Sequence, residues 1–410
     1  MPRQRTLRGR TFLPGEAAAR DALLGVGLAA ARMHRRRLGS TVFVGVTGSA
    51  GKSTTKDLVA AVLRTQLEGT TTPGTANRIS IVGRTLLRTR PRHDFCVAEV
   101  AAWRPGSVAQ IARVLRPQIA VVTNVCADHR KAFRTLEETA IEKAALVAAV
   151  PADGVAVLNA DDPLVRAMAE RFAGRSILVG ESPDAELRAE DVRSPWPSSL
   201  SFTLRAGDRS LPVPTQLHGR YWTTAVLAAL GVGLELGIPL ERALEAVAAF
   251  EPPAGRMTPV TVDGITFLRD DTKAPLWSFD ALHTFLAEAR AARKLLVVGT
   301  ISDTPGAMSR VYRRVAKQSL AVADEVVFVG RNAAHVARVD GAVRTFPTLS
   351  EAAAHLDREL RPGDLVVLKG SRRADHLERL VLARTIGSRC WREACGRASA
   401  CEACRLLHVP

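Results

Sequence analysis

The sequence predicts an α/β protein built on two mostly parallel, doubly wound sheets. From about residue 40, short apolar runs alternate with Ala-rich stretches of helical spacing. The loop "GVTGSAGKSTTK" (45–56) lies between one such run and a helix, which is typical of a phosphate-binding domain. A second series of strands and helices follows "EPPAGRM" (251–257), so we expect a second α/β domain.

Composition limits the class of protein. A chain of 410 residues that is 47% hydrophobic can form two or three domains, and it is not of the disordered type. The formal net charge of +16 suggests an anionic partner, but the basic residues are spread through the chain and only 8 of the 57 are lysines. Because no helix-turn-helix, RNA-binding or zinc-finger pattern is present, a nucleic-acid partner is not favoured.

Residues 1–39 are expected to form a basic, partly helical extension. "MPRQRTLRGRTFLPG" has no apolar core and is not a signal peptide, and the apolar part of "DALLGVGLAAARMHRRR" is too short to span a membrane. We therefore expect a cytoplasmic protein and an amphipathic or partly buried helix that ends in arginines. A basic helix on a membrane surface is the alternative.

The central domain is predicted over residues 40–253. Its strands are "TVFVGVTG", "DFCVAEV" and "QIAVVTNVC", and its helices include "STTKDLVAAVLRTQL" and "TLEETAIEKAALVAAV". The Pro-rich "RSPWPSS" and "LPVPTQLHG" indicate a loop-rich or antiparallel excursion before the helix "TTAVLAALGVGLELG". The second domain, residues 254–387, has the strands "KLLVVGT", "DEVVFVG" and "DLVVLKGS", and a Cys-rich tail covers residues 388–410.

The glycine-bounded loop is the strongest functional signal. It matches a short T-G-x-x-G-K-S-T form of the phosphate loop, in which backbone N–H groups and a helix N-terminus face the anion. Lys52 would add a point charge, and Ser53 or Thr54 a hydroxyl for Mg²⁺. The predicted phosphate-binding residues are Thr47, Gly48, Ser49, Ala50, Gly51, Lys52, Ser53 and Thr54.

The neighbouring strands end in further polar residues. Glu99 ends one strand, and Asp128 and His129 follow another. Ligands of open α/β sheets lie at the carboxyl ends of strands, so these side chains are candidates for a magnesium or manganese shell. In this Arg-rich chain, lysine at 52, 143, 273 and 369 also suggests positions that need a compact or reactive amine.

In their order along the chain, several segments resemble the Mur ligase family, ATP-dependent enzymes that join an amino acid or peptide to a carboxylate. The segments are "TGSAGKST", "TANR", "VAEV", "VVTNVCADH", "EKAALVAAVPADGVAVLNADDP", "EPPAGRM", "DDTKAP" and "GDLVVLKGS". The resemblance covers about residues 40–380. It implies a P-loop ATPase domain, a Rossmann-like C-terminal domain and catalysis in the cleft between them.

The resemblance also implies roles for residues. Lys52 would hold the ATP phosphates, Ser53 or Thr54 the first of two Mg²⁺ ions, and Asn77 would lie near the γ-phosphate. Glu99 would join the first metal shell, and His129 would bind the second Mg²⁺. Lys143 lies where family members carry a carbamylated lysine. In the C-terminal half, Arg256 would reach the nucleotide, and Asp271 and Lys273 would close on it.

The implied reaction activates a carboxylate as an acyl phosphate and lets an amine attack it. "KGSRR" (369–373) resembles the branch that adds D-alanyl-D-alanine to a UDP-muramoyl tripeptide, while "DDTKAP" resembles the D-glutamate-adding branch. Only about 40 residues precede the loop, so the family's UDP-sugar domain is expected to be missing or vestigial. We therefore expect an acid other than the standard UDP-muramoyl peptide.

One segment departs from the family pattern. "GRYWTTAVLAA" (219–229) carries Tyr221, Trp222 and Ala225 where the family has a histidine and two asparagines. Adenine contacts are therefore expected to differ, with an aromatic ring stacking in their place. A nucleotide-binding partner subunit that has lost its chemistry is the alternative function.

The tail holds four cysteines in "CWREACGRASACEAC". Cys390, Cys395, Cys401 and Cys404 could bind one Zn²⁺, with Trp391 packing over it and His408 as a spare ligand. Four reduced thiols on a terminal helix are the alternative, and disulfides are disfavoured because Cys96 and Cys126 lie in the predicted core of an intracellular fold. A zinc knuckle here would suit contact with a protein partner or a carrier-bound substrate.

Overall fold

The fold is taken from a computed structural model that describes residues 6–7, 10–11, 14–393, 395–397 and 399–409. The chain forms two compact units. The first contains residues 1–188, 205–209 and 224–247, and the second contains residues 189–204, 210–223 and 248–410. Among the helices in the described ranges, none combines the length and the apolar character that a membrane crossing needs.

Strands and helices alternate along most of the described chain, which confirms the predicted α/β class. The helices are α1 (Pro14–Arg36), α2 (Lys52–Leu63), α3 (Ile79–Arg88), α4 (Ser107–Leu115), α5 (Leu136–Val147), α6 (Pro163–Arg166), α7 (Thr223–Glu235), α8 (Leu240–Ala249), α9 (Phe279–Glu288), α10 (Met308–Leu320), α11 (Leu349–Glu359) and α12 (Arg379–Thr385). The strands are β1 (Thr6–Leu7), β2 (Arg10–Thr11), β3 (Val42–Thr47), β4 (Gly69–Thr71), β5 (Phe95–Glu99), β6 (Ile119–Val122), β7 (Val155–Asn159), β8 (Arg175–Gly180), β9 (Leu187–Arg193), β10 (Ser201–Ala206), β11 (Arg209–Pro214), β12 (Thr258–Val262), β13 (Ile265–Asp270), β14 (Arg293–Val298), β15 (Glu325–Val329), β16 (Val343–Phe346) and β17 (Asp364–Lys369).

The larger sheet has the strand order β11-β10-β9-β8-β7-β6-β3-β5-β4. Strand β3 is an interior strand and pairs in parallel with both β5 and β6. In this register Val46 lies opposite Glu99, and Thr47 lies opposite Val122. The carboxyl ends of these three strands therefore meet at one edge of the sheet, where the loop after β3 begins.

Close packing of α5 on β3 depends on a glycine. A Cβ atom at Gly45 would lie 2.9 Å from Leu146 Cδ1, so a larger residue would push the helix away from the strand. Helix α5 begins at a Thr135 cap, whose hydroxyl accepts a hydrogen bond from the Glu138 N–H over 3.2 Å. Because Lys143 precedes Leu146 by three positions, the same packing fixes the helix face that carries this lysine.

The second unit contains a six-stranded sheet with the order β12-β13-β17-β14-β15-β16. Only β12 is antiparallel to its neighbour among these paired strands. Alternate residues of β14 enter two hydrophobic clusters, Leu296 on one face and Leu295 on the other. Both faces of the sheet are therefore covered, as expected for parallel strands.

Helix α1 ends in the basic run that the sequence predicts. The Arg35 side chain is 9% exposed, donates from Nε to the Leu115 carbonyl over 2.9 Å and lies 3.6 Å from the centre of the Phe43 ring. Leu23 and Val26 on the same helix are exposed. This arginine therefore attaches the end of the helix to the first unit.

Candidate active site

The loop of residues 48–51 connects β3 to α2 and needs glycine at both ends. Gly48 has φ of +148°, and a Cβ atom there would lie only 1.8 Å from the Thr123 hydroxyl oxygen. Gly51 precedes the first residue of α2 with φ of +76°. The Thr123 hydroxyl donates to the Ala50 carbonyl over 2.6 Å. The backbone can therefore pass close to the end of β6 only because residue 48 has no side chain.

Residues just after β6 hold the other side of the loop. The Asn124 side-chain carbonyl accepts hydrogen bonds from the N–H groups of Ser49, over 3.0 Å, and Ala50, over 2.8 Å. The Ser49 hydroxyl donates to the Cys126 carbonyl and accepts from the Cys126 N–H. Sequence reasoning missed Thr123 and Asn124 as supports, although both lie within the quoted segment "VVTNVCADH".

Lys52 lies across its own loop. Its ammonium donates to the carbonyl oxygens of Gly48, over 2.7 Å, and Ser49, over 3.1 Å. The positive charge of Lys52 is therefore held against the loop that leads into the N-terminus of α2. A loop, a lysine and a helix N-terminus arranged in this way bind phosphate groups. Within the described residues, the buried hydroxyls of Thr47 and Thr54 make no hydrogen bond.

Glu99 contacts two of the other predicted site residues, Ser53 and Asn77. Its carboxylate is 2% exposed and accepts hydrogen bonds from the Ser53 hydroxyl, over 2.7 Å, and the Asn77 side-chain amide, over 2.8 Å. The Glu99 N–H donates to the Thr72 hydroxyl over 3.0 Å. Of the two hydroxyls considered from sequence, Ser53 is the one beside the carboxylate. A hydroxyl, an amide and a carboxylate are hard oxygen donors, so the group fits Mg²⁺.

Asp128 and His129 follow β6 as predicted. His129 has a left-handed backbone, with φ of +54°, and its side chain is 41% exposed. Its N–H donates to Asp128 Oδ1 over 3.1 Å, and its Nε2 lies 3.6 Å from Asp128 Oδ2. The imidazole of His129 therefore lies beside a buried carboxylate.

The pKa of the Cys126 thiol is affected by several charged residues around it. Burial, and then the charge of Asp162, raise its pKa to about 11, and Asp128 adds to this, while the positive charges of Lys143 and Lys52 act in the opposite direction. Lys143 itself is 1% exposed on α5. The charges of Lys143, Lys52 and Asp128 thus all act on the half-buried Cys126 thiol.

Lys56 is a supporting residue that sequence reasoning missed. It is 1% exposed, and its ammonium donates to the carbonyls of Thr72, over 2.7 Å, and Gly74, over 2.9 Å. It also pairs with Asp57 over 2.9 Å. The segment it holds leads directly to Asn77, so Lys56 positions a side chain that contacts Glu99. The second lysine of "GKSTTK" was the available signal.

In the second unit, two predicted motifs meet at Asp271. This carboxylate is completely buried and accepts a hydrogen bond from Arg269 Nε over 3.0 Å. Burial raises its pKa to about 6 although the charges of Arg269 and Arg372 lower it. Gly255 has φ of +80°, and a Cβ atom there would lie 2.4 Å from Asp271 Oδ1. The Thr272 hydroxyl donates to the Gly255 carbonyl over 2.9 Å, so "EPPAGRM" and "DDTKAP" form one structure.

The remaining predicted nucleotide contacts differ in exposure. Lys273 is exposed and Arg256 is half-buried. Tyr221 is 39% exposed, and its hydroxyl lies in the fields of Arg256 and Asp270. The Trp222 ring is buried with its centre 5.1 Å from that of Tyr221. Ala225 is buried, and Lys369 forms an ion pair with Asp270.

The fold and these residues agree with known protein families. Residues 46–233 match the Mur ligase middle domain, and residues 255–372 match the family described as Mur ligase, glutamate ligase domain. The UDP-N-acetylmuramoyl-tripeptide–D-alanyl-D-alanine ligase of Mycobacterium tuberculosis is 32% identical over 82% of this chain and 71% of its own length. The enzyme of the same name from Escherichia coli is 26% identical over 81% of this chain and 74% of its own length.

Solved structures show the same fold. MurF from Acinetobacter baumannii superposes with a TM-score of 0.80 at 21% identity, over 87% of this chain and 79% of its own. MurF from Thermotoga maritima, solved in complex with ADP, gives 0.78 at 23% identity, over 87% of this chain and 82% of its own. With both domain matches in the same order and a curated relative at 32% identity, this chain belongs to the Mur ligase family.

Proposed function

We propose that this chain is an ATP-dependent, ADP-forming ligase that joins a carboxylate to an amine through an acyl phosphate. The observation that supports this most is the position of Glu99. It holds the Ser53 hydroxyl at 2.7 Å and the Asn77 amide at 2.8 Å, beside a phosphate loop whose helix begins at Lys52. The curated relatives are also ligases by name.

Two magnesium sites are part of the proposal. Ser53 and Glu99 would hold the first ion, and His129 and Lys143, the latter as a carbamate, would hold the second. The oxygen donors around Glu99 are the kind that Mg²⁺ prefers. Mg²⁺ bound there would supply positive charge that offsets the charge of the phosphoryl group in transfer.

The remaining chemistry falls to the chain and its substrates. The loop N–H groups and Lys52 would bind and orient the phosphates of ATP. The carboxylate oxygen of the acid would then attack the γ-phosphorus, ADP would leave, and an acyl phosphate would form. The amine nitrogen would next attack the acyl carbon, phosphate would leave, and the nitrogen would lose a proton.

Three residues of the second unit are also part of the proposal. Arg256 and Lys273 are proposed as direct contacts, since neither is buried. Asp271 is fully buried against Arg269, so we propose that it acts by fixing the loop that carries Lys273 rather than by touching ATP.

The decisive experiment measures phosphate release from ATP with a panel of acids and amines. The panel includes a UDP-muramoyl tripeptide with D-alanyl-D-alanine, because the relatives carry those names. Lys52→Ala should abolish turnover, while Lys317→Ala, which removes an exposed lysine of the second unit, should leave it unchanged. An unaffected rate in Lys52→Ala would rule out the proposed site.

A second outcome would favour the alternative function. ATP binding without turnover on any pair would indicate a nucleotide-binding partner subunit, in line with Tyr221, Trp222 and Ala225 in the altered segment. A separate measurement tests Lys143. Intact-protein mass spectrometry in bicarbonate buffer should show one added carbon dioxide that is lost in Lys143→Arg.

A further inference from the structure

The Cys-rich tail and the segment after β17 enclose a common cavity in the second unit. The cavity has a volume of about 260 Å³. Its lining includes all four tail cysteines, Cys390, Cys395, Cys401 and Cys404. It also includes His376 and Arg379, which the sequence did not indicate as site residues. Side chains far apart in the sequence therefore converge on one space. Neither the proposed ligase chemistry nor the family matches account for it.

Three metal-binding side chains lie together, and two of them, His376 and Cys401, line this cavity. The ligand atoms of His376, Glu378 and Cys401 are all within 4.8 Å of one another. His376 Nδ1 is 3.3 Å from Cys401 Sγ and 3.4 Å from Glu378 Oε1. Ligand atoms around a tetrahedral zinc ion are separated by roughly 3.3 to 3.8 Å, the largest value being that between two sulfurs, given the usual bond lengths. The observed separations match that geometry.

The same three side chains are buried. His376 is 1% exposed, Glu378 is fully buried and Cys401 is 7% exposed. Within the described residues, His376 Nε2 and Glu378 Oε2 have no hydrogen-bond partner. Buried polar atoms in native proteins are nearly always satisfied, and a cation beside the carboxylate would satisfy it.

The three side chains are of the types that bind zinc in proteins. Histidine nitrogen, carboxylate oxygen and cysteine sulfur are its usual ligands, and a thiol that binds the ion must first lose its proton.

A fourth ligand is needed to complete a tetrahedral site. Cys395 lines the same cavity as His376 and Cys401, and we take it as that ligand. Cys390 instead lies beside a cation, with its Sγ 4.0 Å from Arg379 Nη1 and its carbonyl 3.1 Å from the same nitrogen. We propose that His376, Glu378, Cys401 and Cys395 bind one Zn²⁺, which fastens the tail to the loop between β17 and α12.

The proposed site adjoins the network around Asp271. Arg372 lies 3.8 Å from Glu378 and 3.9 Å from Asp271, and Arg269 contacts both Asp271 and Glu402 of the tail. Zinc would therefore fix one end of a chain of charges that reaches the "DDTKAP" loop. The set shares Cys395 and Cys401 with the four-cysteine set predicted from sequence, and it replaces Cys390 and Cys404 with His376 and Glu378.

The test uses the full-length chain and measures metal rather than activity, so its result is independent of the ligase proposal. Elemental analysis of the purified protein should give one zinc per chain. After chelation, titration with Co²⁺ should produce a thiolate-to-cobalt charge-transfer band at one equivalent. His376→Gln and Cys401→Ser should each weaken Zn²⁺ binding by about a hundredfold or more, and Cys404→Ser should retain it.

Two results would overturn the proposal. One is a wild-type chain, folded by circular dichroism, that binds neither Zn²⁺ nor Co²⁺. The other is a His376→Gln chain that keeps its zinc while Cys404→Ser loses it, which would assign the ion to the four cysteines. If a variant fails to fold, the Co²⁺ titration of the wild-type chain still decides whether thiolate ligands bind a metal at unit stoichiometry.

Discussion

Ser53 and Glu99 are 46 positions apart in the sequence and are joined by a hydrogen bond of 2.7 Å. The register of β3 and β5 explains this contact, because Val46 lies opposite Glu99 at the end of the paired strands. The phosphate loop then returns the chain to the same edge within a few residues. The carboxylate is thus placed by the sheet, and the hydroxyl by the first turn of α2.

Glu99→Gln should retain the fold and lose most activity. The amide keeps the size of the side chain but removes the charge that would bind Mg²⁺. ATP turnover should fall by about a hundredfold or more, with a higher Mg²⁺ requirement. Phosphate release at increasing Mg²⁺ concentrations measures both the turnover rate and the Mg²⁺ requirement. Glu241→Gln, in an exposed pair with Arg209, is the matched control and should be active. Wild-type rates in Glu99→Gln would contradict the assignment.

Gly48→Ala should disturb the loop through one contact. The new Cβ atom would meet the Thr123 hydroxyl at 1.8 Å, and φ of +148° is unfavourable for alanine. We expect a loss of about 1 to 3 kcal/mol in unfolding free energy and weaker ATP binding, measured by denaturation and calorimetry. Adding Thr123→Ala should restore part of the stability. Gly39→Ala, where a Cβ atom meets nothing within 4 Å, is the control.

Lys56→Met should affect ATP use without touching ATP. The change leaves the carbonyls of Thr72 and Gly74 without this donor, so unfolding free energy should drop by about 1 to 3 kcal/mol. Because this segment leads to Asn77, KM for ATP should rise more than kcat falls. Steady-state kinetics with Lys317→Met as the control would separate a local effect from a general one. Equal effects in Lys56→Met and Lys317→Met would argue against a role of Lys56 in positioning Asn77.

Asp271 should make stability depend on pH in an unusual direction. Its pKa is raised from 3.8 to about 6 in the folded chain, so folding favours the protonated form. Its contribution is complete below about pH 4 and is lost as the pH rises through 6, on the order of 3 kcal/mol in all. Relative to Asp271→Asn, wild type should therefore weaken between pH 4.5 and pH 7 in urea denaturation. A constant difference between the two chains would contradict the buried, protonatable carboxylate.

The parts of the site that are local in sequence could be predicted. Lys52 and Ser53 belong to one loop pattern, and Glu99 ends a strand that its apolar run identifies. Thr123 and Asn124 could not be assigned in this way, since their role is to contact backbone about 75 positions earlier. The loop pattern predicts that the loop binds phosphate, but the residues that support the loop follow the neighbouring strand β6 and are seen only in the structure.

The tail shows the same limit. The cysteine spacing pointed to Cys401, but His376 lies 25 positions earlier in the sequence, on the other side of helix α12. The segment "DHLE" (375–378) contains both His376 and Glu378, but in the sequence it resembles an ordinary helix start rather than a metal site. Asp271 was likewise predicted as a contact residue, and only packing reveals that Arg269 and the Gly255 backbone enclose it.

The interior position of β3 in its sheet has a consequence for where this chain can vary. The phosphate loop, Glu99 and Thr123 follow or end the strands β3, β5 and β6, which are almost entirely buried and have a neighbouring strand on both sides. Substitutions in these buried strands would be costly. We therefore expect changes that alter specificity to be tolerated in segments that leave the three strands untouched.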